Sequence, residues 1–584
     1  MKNISAFWCV AAICFASCNH AIDPGDFETA YTKSNGLETE TYESCIAWWK
    51  RLAEASPYVK ISEAGSSDAP YPIHTIVVSA TKNFSPENAI RNKKLVWLIN
   101  NGIHPGEPDG IDATMLFVRD LLADIDFAQN YRDLVMVIVP VYNIGGALRR
   151  NAYSRANQNG PLSYGFRGNA RNLDLNRDFI KCDSRNASTF SHLFTGWMPH
   201  IYTETHVSNG ADYPYTMTFL HTHPDKLHPR AGSLLKDTLA QALFTRMEDR
   251  GDKMIPYVNV FGTSPDSGYS AFIDLPRYST GYAALFGTLG FLTETHMLKP
   301  FKKRVKSTLR FLHAALEIIH HHRKSIEQAV NIQRKTPETG ISYPINWEVD
   351  FTKYTPLDFE GYRAYYDTSR VTRLPQLYYD TNVVWRRKIP YFDKLKQTNH
   401  ATLPKAYLVP LAWQKLIDVL KANRIRMSVI ENDTLLPLTV YRIETTQTLT
   451  TPFEGHYQHH DTKVSAARQN IRIRAGQYAW VATDQPAWRY LLETLEPEAP
   501  DSYFNWNFFD EILTQKEWFS PYVFDKIAAQ IMLDNDSLRY KLDDMRLADS
   551  AFASISFAQL YFIYKNSDFY ESGVHMIYPV YKWN

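Results

Sequence analysis

Short apolar runs of strand length alternate with helical spacings through the first half of the chain. His74 to Ser79, Lys94 to Asn100 and Leu134 to Val141 are nearly continuous apolar stretches, the pattern of strands buried on both faces. Between and around them, Asp109 to Ala123 and Leu234 to Arg250 space their apolar residues as helices do. Thr41 to about Ala55 also predicts a helix, with Trp48, Trp49 and Leu52 on one face, and a long helical stretch runs from Phe301 to about Ile332. Strands alternating with helices predict an α/β domain built on a mixed, twisted sheet flanked by helices.

After Ile345 the texture changes. Lys353 to Arg386 and Leu438 to Val481 are rich in Tyr, Thr and β-branched residues, with frequent turn signals. Ala406 to Val409, Ala412 to Ala422 and Arg426 to Ile430 read as strand, helix and strand, and Pro486 to Leu495 and Val523 to Asp534 as helices. This half predicts a strand-rich α+β domain. At 584 residues the chain is too long for one ordinary core. The divisions it suggests are 1–18 as a signal peptide, 19–40 as a polar tether, 41–333 as the α/β domain, 334–344 as a linker and 345–584 as the accessory domain.

A formal net charge of +1 gives no reason to expect a polyanionic partner, and no basic face or stripe stands out, so no nucleic-acid partner is expected. Lys2 precedes an apolar run from Ile4 to about Ala16, too short to span a bilayer and suited to a signal peptide. The run ends in Phe15-Ala16-Ser17-Cys18, which resembles a lipobox and makes Cys18 the expected site of a membrane-anchoring lipid. Export to a periplasmic or cell-surface location follows as an expectation. It would leave Cys45 and Cys182, as a disulfide or as two free thiols.

The sharpest chemical signal is Asn101-Gly102-Ile103-His104-Pro105-Gly106-Glu107-Pro108, between a strand-like run and a helix. Ligands gather at the carboxyl ends of strands in α/β folds. His104 and Glu107 can converge on one metal across a Pro-Gly turn, and a nitrogen–oxygen donor pair suits zinc. Three further stretches add to it: Arg171 to Phe179 with Asp174, Asn176 and Arg177; His200 to His206, a strand ending in histidine; and Gly290 to His296, a strand carrying Glu294.

These four motifs, in this order, resemble the carboxypeptidase A-like zinc metallocarboxypeptidases over roughly residues 41–330. The resemblance implies one zinc ion on His104, Glu107 and His206, with Glu294 as the general base. It implies that Asn176 and Arg177 grip the free C-terminal carboxylate of a peptide substrate, and that Asp174 orients His104. An upstream arginine in an Arg-x-Asn pattern would stabilise the oxyanion; Arg155 fits best, with Arg150 as its rival. Tyr269, Tyr278 and Tyr282 are candidates for the family's covering tyrosine, and the small, uncharged residues from Ser279 to Gly281 suggest no charge selection in the specificity pocket. Glu204, two residues before His206, is the rival carboxylate to Glu294; strand alternation puts it on the face of His206, where the alternative is a supporting contact to that ligand.

Two rival readings keep the same fold: a zinc amidohydrolase trimming cell-wall stem peptides, and a surface binding protein without turnover. Other features read as structural. His320-His321-His322 is expected at a solvated helix end, Lys302-Lys303-Arg304 on a solvated face, Glu454 to His460 in a polar turn, and Phe504 to Phe509 in a buried aromatic cluster. Lys299 is the structural alternative partner for Glu294.

Overall fold

The computed structural model describes residues 21–584. The signal-like run with Cys9, Cys14 and Cys18 lies outside them. Nine strands fall within the first three hundred residues: β1 (Val59–Gly65), β2 (Ile73–Ser79), β3 (Leu95–Asn100), β4 (Leu134–Val139), β5 (Ile201–Ser208), β6 (Met217–His221), β7 (Ile255–Pro256), β8 (Tyr269–Ser270) and β9 (Leu289–His296). All but β8 join one eight-stranded sheet in the order β1-β2-β4-β3-β5-β9-β6-β7. β4, β3, β5 and β9 run parallel, and β2 and β6 flank them antiparallel. The sheet is mixed, as the apolar runs imply.

Helices cover both faces, which is why β3, β4 and β5 are buried at every position. On one face Trp97 donates to Thr203 Oγ1 (2.9 Å) and packs edge-on against Phe117 of the helix Asp109–Ala123. On the other, Tyr202 meets Phe190 and Phe194 of the helix Arg185–Trp197. The predicted first helix runs Tyr42–Ala55, and Thr41 caps it in a reciprocal box with Ser44. The long C-terminal helical stretch breaks at His322 into Phe301–His321 and Arg323–Arg334, placing the histidine triplet at a helix end.

Two expectations need correction. Residues 21–40 are no loose tether: Phe27, Tyr31 and Thr39 are buried, Trp48 Nε1 donates to the Phe27 carbonyl (3.2 Å), and Ala30 N–H donates to Glu40 Oε1 (2.6 Å). A few aromatic anchors outweigh the polar composition. Arg304 is fully buried, although Lys302 and Lys303 are exposed, because it shares the inward helical spacing of Phe301, Val305 and Thr308. Its guanidinium donates to Asp109 Oδ2 (2.9 Å) and to the carbonyls of Lys299 (2.8 Å) and Gly160 (2.9 Å), tying two loops to one helix start.

The C-terminal half contributes a six-stranded antiparallel sheet, with strand Tyr581–Trp583 between Ala406–Pro410 and Thr434–Thr448. A long hairpin, Thr355–Thr368 with Pro375–Phe392, reaches back so that Tyr391 and Phe392 pair with β8. Ser342–Pro344, within the expected linker, pairs with His400–Thr402. The two halves share one continuous apolar core. Phe286 and Tyr490 rings lie 5.1 Å apart across the boundary, and Tyr282 Oη donates to Asn423 Oδ1 (2.6 Å). Trp506, Phe504 and Phe509 are buried, as the aromatic run suggested. Cys45 and Cys182 are free thiols. Among the described residues no helix is long and apolar enough to cross a membrane.

Two buried imidazoles are held neutral. His296 donates from Nε2 to the Ala211 carbonyl (3.0 Å) and accepts Leu298 N–H at Nδ1 (3.2 Å), and burial lowers its pKa to about 4. His223 caps a short turn by accepting Asp225 N–H (3.3 Å), and burial lowers it to about 3. Below the ordinary value of 6.5 the unfolded chain binds protons that these two folded imidazoles refuse, so their contribution to stability falls as pH drops from 6.5 towards 3–4 and is constant above it. The melting temperature is therefore expected to decline between pH 7 and pH 4.5. His223→Asn, which keeps the cap and removes the titration, should flatten that decline; an unchanged slope contradicts the assignment.

Candidate metal centre and active site

The strand register brings the site together. His206 on β5 lies directly beside Glu294 on β9, and Asn100 at the end of β3 lies beside Glu204. Residues 204, 206 and 294 therefore face one side of the sheet. The loop after β3 turns tightly, with Glu107 N–H donating to the His104 carbonyl (2.8 Å). Gly110 lets the following helix lie on β5, since a Cβ there would fall 1.9 Å from Thr205 Oγ1.

His104, Glu107 and His206 converge, each offering one ligand atom within 4.8 Å of the others. His104 Nδ1 is 3.3 Å from Glu107 Oε1, and His206 Nδ1 is 3.2 Å from Glu107 Oε2. Two donors each about 2.0–2.1 Å from a tetrahedral zinc are separated by about 3.3 Å, so this spacing suits the ion. The outer nitrogens confirm the fit. His104 Nε2 sits 2.9 Å from Asp174 Oδ1, and His206 Nε2 sits 2.9 Å from Glu204 Oε2. A carboxylate only accepts, so each proton is fixed on Nε2 and each Nδ1 lone pair is turned to the centre. Glu204 is itself held by Tyr202 Oη (2.8 Å) and Asn100 Nδ2 (2.9 Å).

Positive charge surrounds these carboxylates. Burial alone would raise the Glu107 carboxyl, but Arg155 and His104 hold it well below the usual range. Asp174 is likewise held well below its ordinary value: burial opposes this, and His104, Arg167 and Arg177 outweigh it. Glu294 behaves oppositely. Burial, with the like charge of Glu107, pushes it up to about 7 against the pull of His206, Arg155 and Arg167. A carboxyl poised there can exchange a proton near neutral pH. Lys299 does not pair with it, donating instead to Asp212 Oδ1 (2.9 Å).

The two arginines separate in role. Arg155 Nη1 donates to Glu107 Oε1 (2.7 Å), Nη2 to the Val207 carbonyl (2.8 Å) and Nε to Gln158 (2.7 Å), so it is committed to holding a ligand. Gly106 makes room for it, since a Cβ there would lie 2.8 Å from Arg155 Cδ. Arg150 is remote, donating to the carbonyls of Glu40 (2.9 Å), Thr39 (3.3 Å) and Ser163 (2.8 Å). Arg167, absent from the sequence reading, enters the site. Its Nε binds Asp174 Oδ2 (3.0 Å), while Nη1 stands 3.4 Å from both His104 Nδ1 and Glu107 Oε1. The signal for it exists: Arg167-Gly168-Asn169 repeats the Arg-x-Asn pattern of Arg155-Ala156-Asn157.

Asn176 and Arg177 line the same cleft, a cavity of about 530 Å³ that also holds Glu294. Asn176 Oδ1 accepts Ser279 N–H (3.1 Å), leaving its amide N–H groups for a ligand. The Arg177 guanidinium lies 4.5 Å from the Tyr278 ring centre. Of the three tyrosines singled out, only Tyr278 reaches the cleft. Tyr269 and Tyr282 are buried elsewhere, donating to the Pro256 carbonyl (3.0 Å) and to Asn423. Tyr257 lines the wall as well and had no local sequence signal.

Residues 45–210 match the family model described as zinc carboxypeptidase. That segment is similar to the zinc carboxypeptidase family. It contains the three converging ligands together with Arg155, Arg167, Asn176 and Arg177, and Glu294 lies beyond it. The family is zinc-dependent, and the chain is a metallocarboxypeptidase. Similarity extends well past the matched segment: Carboxypeptidase 2 of Trichophyton rubrum is 24% identical over 504 residues, spanning 82% of this chain and 86% of that protein. A probable carboxypeptidase 2 of Arthroderma benhamiae is 23% identical, spanning 76% and 81%. Among solved structures, a metallo-carboxypeptidase from Burkholderia cenocepacia aligns at 15% identity and a TM-score of 0.37, covering 48% of this chain and 70% of that one.

Asp174→Ala frees the outer nitrogen of His104 and is expected to weaken zinc binding by about 10–100-fold. Competition with a fluorescent chelator measures this, and an affinity equal to that of the unaltered enzyme contradicts the orienting role.

Proposed function

We propose that the enzyme is a zinc-dependent exopeptidase that releases the C-terminal residue of peptides. The observation that carries this reading is the meeting of Asn176 and Arg177 with the His104, Glu107 and His206 triad in one cleft. A guanidinium fork matches a carboxylate with two hydrogen bonds, and an internal peptide bond presents no carboxylate there. One zinc ion, when bound, supplies a Lewis acid and lowers the pKa of water towards neutrality.

The remaining work falls to the chain. Arg177 and Asn176 hold the terminal carboxylate and so place the last peptide bond beside the triad. Glu294 takes the proton of the attacking water and delivers it to the leaving amine. Arg167, with Nη1 facing the ligands, meets the developing oxyanion, a role for which the family resemblance had pointed to Arg155. Arg155 instead holds Glu107 in place. Leu220, Leu292, Phe272 and Thr280 line the cleft without charge, which supports a preference for apolar terminal residues. The apolar N-terminal run and Cys18 support an exported, lipid-anchored enzyme, which the mass of the mature N-terminal peptide tests.

A peptide ending in phenylalanine is expected to be cleaved far faster than its C-terminal amide or its lysine-ended counterpart. Equal rates on acid and amide contradict the exopeptidase reading. Glu294→Gln should lower kcat by about 10²–10⁴-fold while zinc is retained. The carboxylate is the working form and burial holds it near pH 7, so kcat/KM should fall as pH drops below about 7. A flat profile from pH 5 to 8 removes Glu294 as the base.

A further inference from the structure

The chain segments that carry Arg177 and Tyr278 are both fastened to the C-terminal half. A tight turn, Glu454-Gly455, with both residues at positive φ and closed by the Phe453–His456 bridge, presents the Glu454 carboxylate. Its Oε2 accepts the backbone N–H of Asp174 at 2.8 Å. Asp174 in turn accepts Asn176 N–H (2.9 Å), so one carboxylate sets the entry of the chain into the Asn176-Arg177 grip. The opposite wall is anchored likewise. Arg277 donates its backbone N–H and Nε to the two oxygens of Asp501 (2.8 Å each), and its guanidinium lies 5.0 Å from the Trp506 ring centre. The residues immediately after it supply the Tyr278 ring beneath Arg177 and the Ser279 N–H on Asn176.

We propose that the C-terminal half is a positioning element of the active site, with Glu454 as the residue that holds the Asp174–Arg177 segment in its carboxylate-gripping form. The inference rests on the exopeptidase reading of Asn176 and Arg177. Glu454 touches neither substrate nor metal ligand; it acts through the backbone of Asp174. An isolated fold-stabilising contact would change melting temperature without distinguishing substrates. A positioning contact changes the grip.

The test uses the full-length, zinc-saturated enzyme. Glu454→Ala is expected to raise KM for a free-acid peptide about tenfold, the size of one hydrogen bond to a charged group, with kcat within about twofold. Glu454→Gln keeps an acceptor oxygen and should restore KM to within about threefold. The slow cleavage of the amidated peptide should not change in either variant. In an Arg177→Ala background, Glu454→Ala should have no further effect on KM. An unchanged KM in Glu454→Ala, an effect that persists at full size without Arg177, or loss of folding in the alanine variant each overturns the proposal. Indifference of the unaltered enzyme to amidation is a separate result. It removes the exopeptidase reading itself, whereas unchanged KM beside a preserved preference for the free acid removes this inference alone.

Discussion

Two carboxylate–imidazole hydrogen bonds decide what this site can be. Asp174 on His104 and Glu204 on His206 fix both protons on the outer nitrogens and leave two Nδ1 lone pairs facing Glu107. Without them each ring could rotate or swap tautomer, and the three donors would not converge. Both carboxylates are buried and hydrogen-bonded, so the orientation is set by the fold before a metal arrives. The sheet supplies the rest, because the β5–β9 register sets Glu294 beside His206 without any further device.

Charge is then distributed so that neighbouring carboxyls do different things. Glu107 and Asp174 sit against arginines and stay ionised. Glu294 shares the cleft, but burial and the Glu107 charge hold its proton near neutrality. The contrast between two glutamates in one cavity is what separates a ligand from a proton carrier. Arg155 and Arg167 likewise divide, one spent on the metal-facing carboxylate and one turned to the cleft.

Much of this was legible from sequence where the physics is local. Apolar runs bounded by helical spacing gave the central strands almost to the residue, and a ligand pair across a Pro-Gly turn is a short-range signal. His206 and Glu294 were readable because each lies near the end of a strand-like run and takes its place in the motif order of the family the chain resembles. What escaped depended on distance or direction. Arg167 was hidden by a duplicated Arg-x-Asn pattern in a stretch of unusual length, and Tyr257 has no neighbours in sequence that mark it. Arg304 looked like one of three solvated cations, yet helical geometry turns only that one inward. The Glu454–Asp174 contact joins residues 280 apart, beyond any local pattern. The early residues read as a tether because a few buried aromatics leave little trace in composition.

We propose that one zinc ion is held by two imidazole nitrogens and one carboxylate, those of His104, His206 and Glu107. X-ray absorption at the zinc edge of the purified enzyme tests it most directly. The account predicts nitrogen and oxygen donors at about 2.0–2.1 Å with the outer-ring scattering of two histidines, and a loss of one histidine's signal in His206→Ala. A coordination sphere with a single imidazole, or one unaltered by that substitution, would contradict it.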